Sequence, residues 1–398
     1  MNARNSGDSP EIVPDAIARV SAFPVFVPVN FDVGGASVAG ELSGVVVEIE
    51  TQSGLTGHGF TAITDEEIVA AAVRDVVAQN LVGQDAMARE AILEKLYWLL
   101  SPRGQTGYAS HAASLIDIAL WDIAGRSLGQ PVWRLLGGAR PTVPLYVTFG
   151  FGSLDREGLA VAARTLVDWG HRRLKMVVGR HALARRDEGR PLDGVIAEDA
   201  ARVRAVREAV GHDVELYIDA NCSLDSYHAL RLARMIADDD IGFFEEPLRG
   251  NDIGRMADLR AHIPIPLAAG QNEGQLFRFR DLMAGGAVDL LQPNACICGG
   301  FSIAAKAAGM AQAFGVPIDN GGAFPFHNMH LHAGLANGGL VEWHLVSVEM
   351  CRALFKNLPE PQGEELVLPT TPGLGFEIDH DRLREFANGP WAAGRGKG

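Results

Sequence analysis

The chain has 398 residues, 47% of them hydrophobic and 21% charged, with a formal net charge of −14. That balance reads as a globular protein of one large and one smaller domain, and the acidic surplus argues against nucleic acid or an anionic membrane surface as main partner. No run approaches the roughly 20 apolar residues of a membrane helix, the polar start lacks the core of a signal peptide, and four cysteines are too few for a disulfide scaffold, so a reducing cytoplasm is expected.

In chain order, residues 1–12 and the tail from about 391 read as frayed ends. Residues 24–40 (PVFVPVNFDVGGASVAG) read as a long glycine-rich loop. Residues 45–50 (VVVEIE) and the turn at 53–57 predict a hairpin, followed by a second loop at 60–64. Helical periodicity fills 66–100 and 109–128, where Leu115, Ala119 and Asp122 share a face with Ile116, Leu120 and Ile123 beside it. This is an α+β module spanning 13–140.

From residue 143 short apolar runs alternate with amphipathic helices. Strand candidates are 143–149, 172–178, 215–220, 241–246, 266–270, 288–293, 316–320 and 340–345. Between them lie helical stretches such as 197–210, striped by Val203, Val206 and Val210. A doubly wound open sheet is the alternative, but a count of eight favours a closed parallel (β/α) barrel over 141–375, with 376–398 as a separate C-terminal segment.

In such a barrel the strand C-terminal ends face the active site. Those ends carry Lys175, Asp219, Asn221, Glu245, Glu246, Gln271, Asn294, Asn320 and Glu342. Asp219, Glu245 and Gln271 are each twenty-six residues apart, one βα unit per donor. Neighbouring carboxylates need a compensating cation, and oxygen-only donors suit Mg²⁺ rather than zinc. The competing reading is that Asp219 caps a helix and Glu245 and Glu246 begin a loop. No glycine motif of a dinucleotide or P-loop site is present, nor a serine-hydrolase elbow. Cys296 and Cys298 lack the partners of a zinc site and read as buried or rim thiols.

The stretch AASLIDIALWDIAGRSLGQPVWRLLGG (112–138), Lys175-Met176, DAN at 219–221, FFEEPL at 243–248 and QPN…GG at 292–300 together resemble the enolase superfamily, in its mandelate racemase and muconate lactonizing branch. The resemblance implies an N-terminal capping domain over a modified barrel, with the C-terminal segment returning to the cap. It implies Mg²⁺ held by Asp219, Glu245 and Gln271, and an enediolate formed by removing the α-proton of a carboxylate substrate. It further implies a homo-oligomer and cap loops that set specificity. The basic connection 180–194, with four arginines, would suit a polyhydroxylated acid or a second carboxylate, or is a solvated loop.

The departures from the pattern are informative. Val177 stands where the resembling sequences carry a second, basic lysine; Gln271 replaces a glutamate; Asn294 and Asn320 replace an aspartate and a histidine. The remaining catalytic candidates are Lys175, Tyr108 and His327, with Asn221, Asn294, Asn320 and Glu342 expected to bind substrate. Tyr108 could instead pack under the cap, and the histidines of HNMHLH (327–332) could be ordinary core residues. The reading is therefore a Mg²⁺-dependent dehydratase, epimerase or cycloisomerase of a small sugar acid. A lapsed barrel that binds a carboxylate without turnover is the alternative.

Overall fold

The computed structural model describes residues 14–152, 154–179 and 191–388. Most of the basic connection at 180–194 lies outside them. Strands β1 (Ile17–Val33), β2 (Ala36–Thr51) and β3 (Thr56–Ala62) form an antiparallel sheet in that order. Against it pack α1 (Glu66–Ala71), a π-helical turn, α2 (Ala78–Leu81), α3 (Arg89–Leu100) and α4 (Tyr108–Leu128). Their shared core joins Val45, Val47 and Ile49 to Val73, Leu96, Leu115 and Ile116. Strand β3 runs so close to α4 that a Cβ at Gly59 would stand 1.9 Å from the Leu115 carbonyl oxygen, so only glycine fits there.

The expected loop at 24–40 is instead the far half of the β1–β2 hairpin, turned at Gly34 and Gly35 with φ of 64° and 82°. Two consecutive positive φ values make the two-residue hairpin turn whose twist matches the strands. Pro24 and Pro28 are tolerated because β1 is an edge strand, where a missing N–H can face away from the ladder. The tip rests on the first barrel helix: a Cβ at Gly34 would fall 2.4 Å from Thr165 Oγ1.

After α5 (Val132–Leu135), the strands β4 (Thr142–Gly150), β5 (Arg173–Val177), β6 (Glu215–Asp219), β7 (Ile241–Glu245), β8 (Leu267–Ala269) and β9 (Leu290–Leu291) pair in parallel, each with the next. The seventh rung is reduced to one bridge, Leu291 to Ile318, and β10 (Val341–His344) closes the ring on β4. Helices α6 (Arg156–Asp168), α7 (Leu192–Val210), α8 (Ser226–Met235), α9 (Ile253–His262), α10 (Gln275–Ala284), α11 (Gly300–Phe314), α12 (Pro325–Gly334) and α13 (Leu345–Leu354) follow the successive strands.

Strand alternation sorts the side chains. Leu174 and Met176, Leu216 and Ile218, Val341 and Trp343 join the core under the helices. Lys175, Tyr217, Asp219, Glu342 and His344, at the intervening positions, face the barrel axis. Tyr146, Tyr217 and Phe243 form the barrel floor, the last two stacked at 4.2 Å. Beyond α13, β11 (Phe355–Lys356) is followed by the short antiparallel pair β12 (Pro361–Gln362) and β13 (Glu365–Val367), whose β13 lies antiparallel to β4; β11 pairs with β14 (Glu377–Ile378), and α14 (His380–Asn388) packs on β1. No helix among the described residues is long and apolar enough to cross a membrane.

Candidate active site

Just above the floor, Lys175 Nζ lies 2.6 Å from Glu245 Oε2, 3.0 Å from Glu342 Oε1 and 3.5 Å from Asp219 Oδ2. The Tyr146 ring lies 5.2 Å below the ammonium. Strand register explains the convergence, since β5 to β6 pairs Val177 with Asp219, and β6 to β7 pairs Asp219 with Glu245. All four side chains are almost wholly buried. Burial alone would depress the Lys175 ammonium, but the fields of Glu245, Glu342 and Asp219 outweigh it and raise its pKa. Burial pushes Asp219 up to about 6, opposed by Lys175, and raises Glu245 well above the usual range, with Asp219 adding to the effect. Glu342 behaves differently: burial is overcome by Lys175, His344, the Thr148 hydroxyl and the Ala323 N–H, so its pKa is lowered.

Gln271 follows β8 and is oriented by Glu246, whose Oε2 accepts from Gln271 Nε2 at 2.9 Å. Glu246 is itself buried at φ 40° and also accepts from Asn272 and Asn251. Fixing the amide nitrogen on Glu246 turns the oxygen of Gln271 the other way, toward the Gly322 backbone at the barrel mouth. Asn221, at φ 44°, donates its backbone N–H to Asp219 Oδ1 at 2.7 Å. Such left-handed non-glycine backbone at two strand ends is the strain that functional sites concentrate.

Asn294 and Asn320 bond mainly to backbone, with Asn294 Oδ1 also accepting from Asn328 Nδ2 at 3.0 Å. Asn294 Nδ2 reaches the carbonyls of Gly321, Gly322 and Ala323 at 2.7, 3.0 and 3.3 Å. Asn320 Oδ1 accepts the Glu342 N–H at 3.1 Å. They hold the glycine-rich loop after the seventh rung, a positioning job that their strand-end places alone do not reveal. The other two expectations depart further. Tyr108 is 43% exposed on the cap, its hydroxyl 2.5 Å from Asp65 Oδ2, and has no bond to the Lys175 cluster. His327 is buried between Phe60, Phe355 and Phe376, with neither ring nitrogen hydrogen-bonded. Burial, with His58 and His330 nearby, keeps its pKa well below the ordinary value, so it stays neutral. The cysteines are free thiols; Cys296, Cys298 and Cys351 are buried and Cys222 touches Glu246.

Three buried carboxylates share one ammonium, an arrangement that raises the pKa of Asp219 and Glu245, and Glu245 Oε1 has no hydrogen-bond partner. No group of three His, Cys, Asp or Glu side chains able to hold a metal occurs among the described residues. The candidate set has two carboxylates, Asp219 and Glu245, and the Gln271 amide oxygen. It fits a hard, oxygen-seeking divalent cation such as Mg²⁺, with less negative charge than three carboxylates would give.

Residues 18–137 match the mandelate racemase / muconate lactonizing enzyme N-terminal domain, and residues 158–382 match the enolase C-terminal domain-like family. The chain is 30% identical over 349 residues to the arabinonate dehydratase of Saccharolobus solfataricus, covering 86% of this chain and 90% of that protein. It is 33% identical to the D-galactarolactone cycloisomerase of Agrobacterium fabrum, with 86% and 90% covered. The L-talarate/galactarate dehydratase of Salmonella typhimurium is 30% identical, with 93% and 91% covered. A racemase structure from Streptomyces coelicolor A3(2) with bound magnesium superposes with a TM-score of 0.83 at 28% identity, covering 93% of this chain and 99% of that one. With both domains matched and the strand-end site in place, the chain belongs to the mandelate racemase / muconate lactonizing branch of the enolase superfamily.

Proposed function

We propose that this protein is a Mg²⁺-dependent isomerase or lyase that removes the α-proton of a small sugar-acid carboxylate. The observation that carries this reading is the buried cluster of Lys175 with Asp219, Glu245 and Glu342 at the strand ends. Asp219, Glu245 and Gln271 would hold the cation, which supplies Lewis-acid stabilisation of the charge that develops on the substrate carboxylate. Lys175 and Glu342 flank the same carboxylate. Val177 cannot move a proton, so on this strand the chemistry rests on Lys175. The carboxylates that would hold the cation are also those that hold the lysine's proton. Drawing Asp219 and Glu245 onto a cation would weaken the field that raises the Lys175 pKa and leave Glu342 as its remaining carboxylate neighbour. The acids named for the relatives, arabinonate and galactarate, are the first substrates to try.

The test begins with Mg²⁺ added to metal-free protein while thermal unfolding is followed. A ligand at a hundred times its Kd stabilises by about 2.7 kcal/mol, a shift of several degrees. Deuterium incorporation at Cα of arabinonate and galactarate in D₂O follows, with Lys175→Ala expected to abolish it. Absence of both the thermal response and exchange would favour a barrel that binds a carboxylate without turnover.

A further inference from the structure

One polar side chain facing the barrel mouth has no part in the reaction outlined above: His344. Alternation along β10 puts it on the same inward face as Glu342, two residues and roughly 7 Å nearer the mouth. The Cα register runs His344 to Thr148 to Lys175 across three adjacent strands. The histidine and lysine backbones therefore stand two strand spacings, roughly 10 Å, apart around one opening.

The ring is held from two directions. His344 is the N-cap of α13, and its Nδ1 accepts the Ser347 N–H at 3.3 Å. Its centroid lies 5.3 Å from that of Phe151, which meets Phe31 of the cap hairpin edge-on at 6.0 Å. A backbone N–H can only donate, so Nδ1 must present its lone pair, and the proton of the neutral ring sits on Nε2. Burial lowers the ring's pKa, with Glu342 opposing, the Lys175 ammonium assisting and a bond to the residue's own backbone opposing. Beyond the Ser347 N–H and its own backbone, the ring has no hydrogen-bond partner among the described residues. A neutral imidazole in this tautomer cannot accept a proton without giving up the cap, nor release one without becoming an anion. It can donate a hydrogen bond.

We propose that His344 is a substrate-binding residue whose Nε2–H donates to an oxygen on the part of a polyhydroxylated acid remote from Lys175. The proposal rests on the sugar-acid reading. Its fixed tautomer makes it selective for substrates with an acceptor oxygen at that point, and the Phe31–Phe151 pair ties that selectivity to the seating of the cap hairpin.

The two ring nitrogens can be tested separately. His344→Asn keeps an acceptor where Nδ1 stood, and so the cap, but is too short to reach the substrate. His344→Gln puts an amide N–H near the place of Nε2 and gives up the cap. Arabinonate and galactarate are titrated calorimetrically into the Mg²⁺-loaded protein. Whichever acid the wild type binds should bind about tenfold more weakly or worse to His344→Asn at unchanged melting temperature, and His344→Gln should recover most of the loss. In ¹⁵N-histidine spectra, His344 should show the Nε2–H tautomer and its Nε2 signal should move when the acid binds. An Nδ1–H tautomer, or undiminished binding by His344→Asn, overturns the proposal and leaves the functional reading intact. A wild-type protein that binds neither acid removes the substrate class, and this donor role with it.

Discussion

At Gln271 one amide does two things: its nitrogen is tied to Glu246 Oε2 at 2.9 Å, and its oxygen is thereby left for the site. This makes Gln271→Glu a poor way to strengthen the metal site, although it restores the missing charge. In metal-free protein the new carboxylate would face that of Glu246 where both are buried, and like charges so placed destabilise each other. Gln271→Glu should lose about 2–4 kcal/mol of stability in denaturant melts without metal. Adding Glu246→Gln should return much of that loss, because the second change restores a donor opposite an acceptor. Strictly additive losses in the double-mutant cycle would show that the two side chains do not act as a pair. The residues of the Lys175 cluster were legible in the sequence because strand-end position and period-two alternation together specify direction. His344 carried the same signal two residues past Glu342 and lay unremarked inside the strand candidate 340–345. Tyr108 and His327 stayed open between a catalytic and a packing role for the opposite reason. Their place beside a signature helix or after a strand says nothing about which way a helical side chain turns, and tertiary packing decided that.

Among the elements, the barrel strands were recovered from the sequence within a few residues, since each is a short apolar run between amphipathic helices. The β1–β2 hairpin was not, because prolines and glycines mark loops in composition, while an edge strand and a two-residue turn use the same residues. The seventh rung is the weakest strand, a single bridge at Ile318, and Asp319 supports it by accepting the Leu340 N–H at Oδ1, 2.6 Å away. Burial raises the Asp319 pKa to about 7; the Leu340 N–H opposes the rise, Glu215 adds to it and Arg173 opposes it. A carboxyl with a raised folded-state pKa binds its proton more tightly folded than unfolded. Its contribution is present at low pH and is lost as pH climbs from about 4, the unfolded value, to about 7. Over that window the wild type should lose stability relative to Asp319→Asn at roughly 1 kcal/mol per pH unit. Parallel stability profiles for the two proteins would mean that Asp319 is not the titrating group.

The whole molecule is held together where cap, barrel and C-terminal segment meet on α4. Asp117 accepts the Ser302 N–H and hydroxyl of α11 at 2.9 and 2.6 Å, fastening cap to barrel. One turn and a half further on, buried Asp122 accepts His58 N of β3 at 3.1 Å and Leu374 N of the C-terminal segment at 2.8 Å. The contact at Gly373 is close enough that a Cβ there would fall 2.1 Å from Asp122 Oδ1. Around these anchors His58 and Phe60 of the cap pack against Phe355 and Phe376, which explains why a histidine such as His327 can be sealed in an apolar interior. Asp122→Ala should strand two buried backbone N–H groups, each costing about 1–3 kcal/mol. The loss should be local first, because the C-terminal segment reaches β14 and α14 from this point and barrel strands β5 to β7 do not depend on it. Hydrogen exchange should therefore rise at Leu374 and through α14 in Asp122→Ala, while amides of β5 to β7 keep their protection. Exchange that rises equally in all of these would instead mean that cap, barrel and tail open as one cooperative unit, and that Asp122 contributes to global stability rather than anchoring one segment.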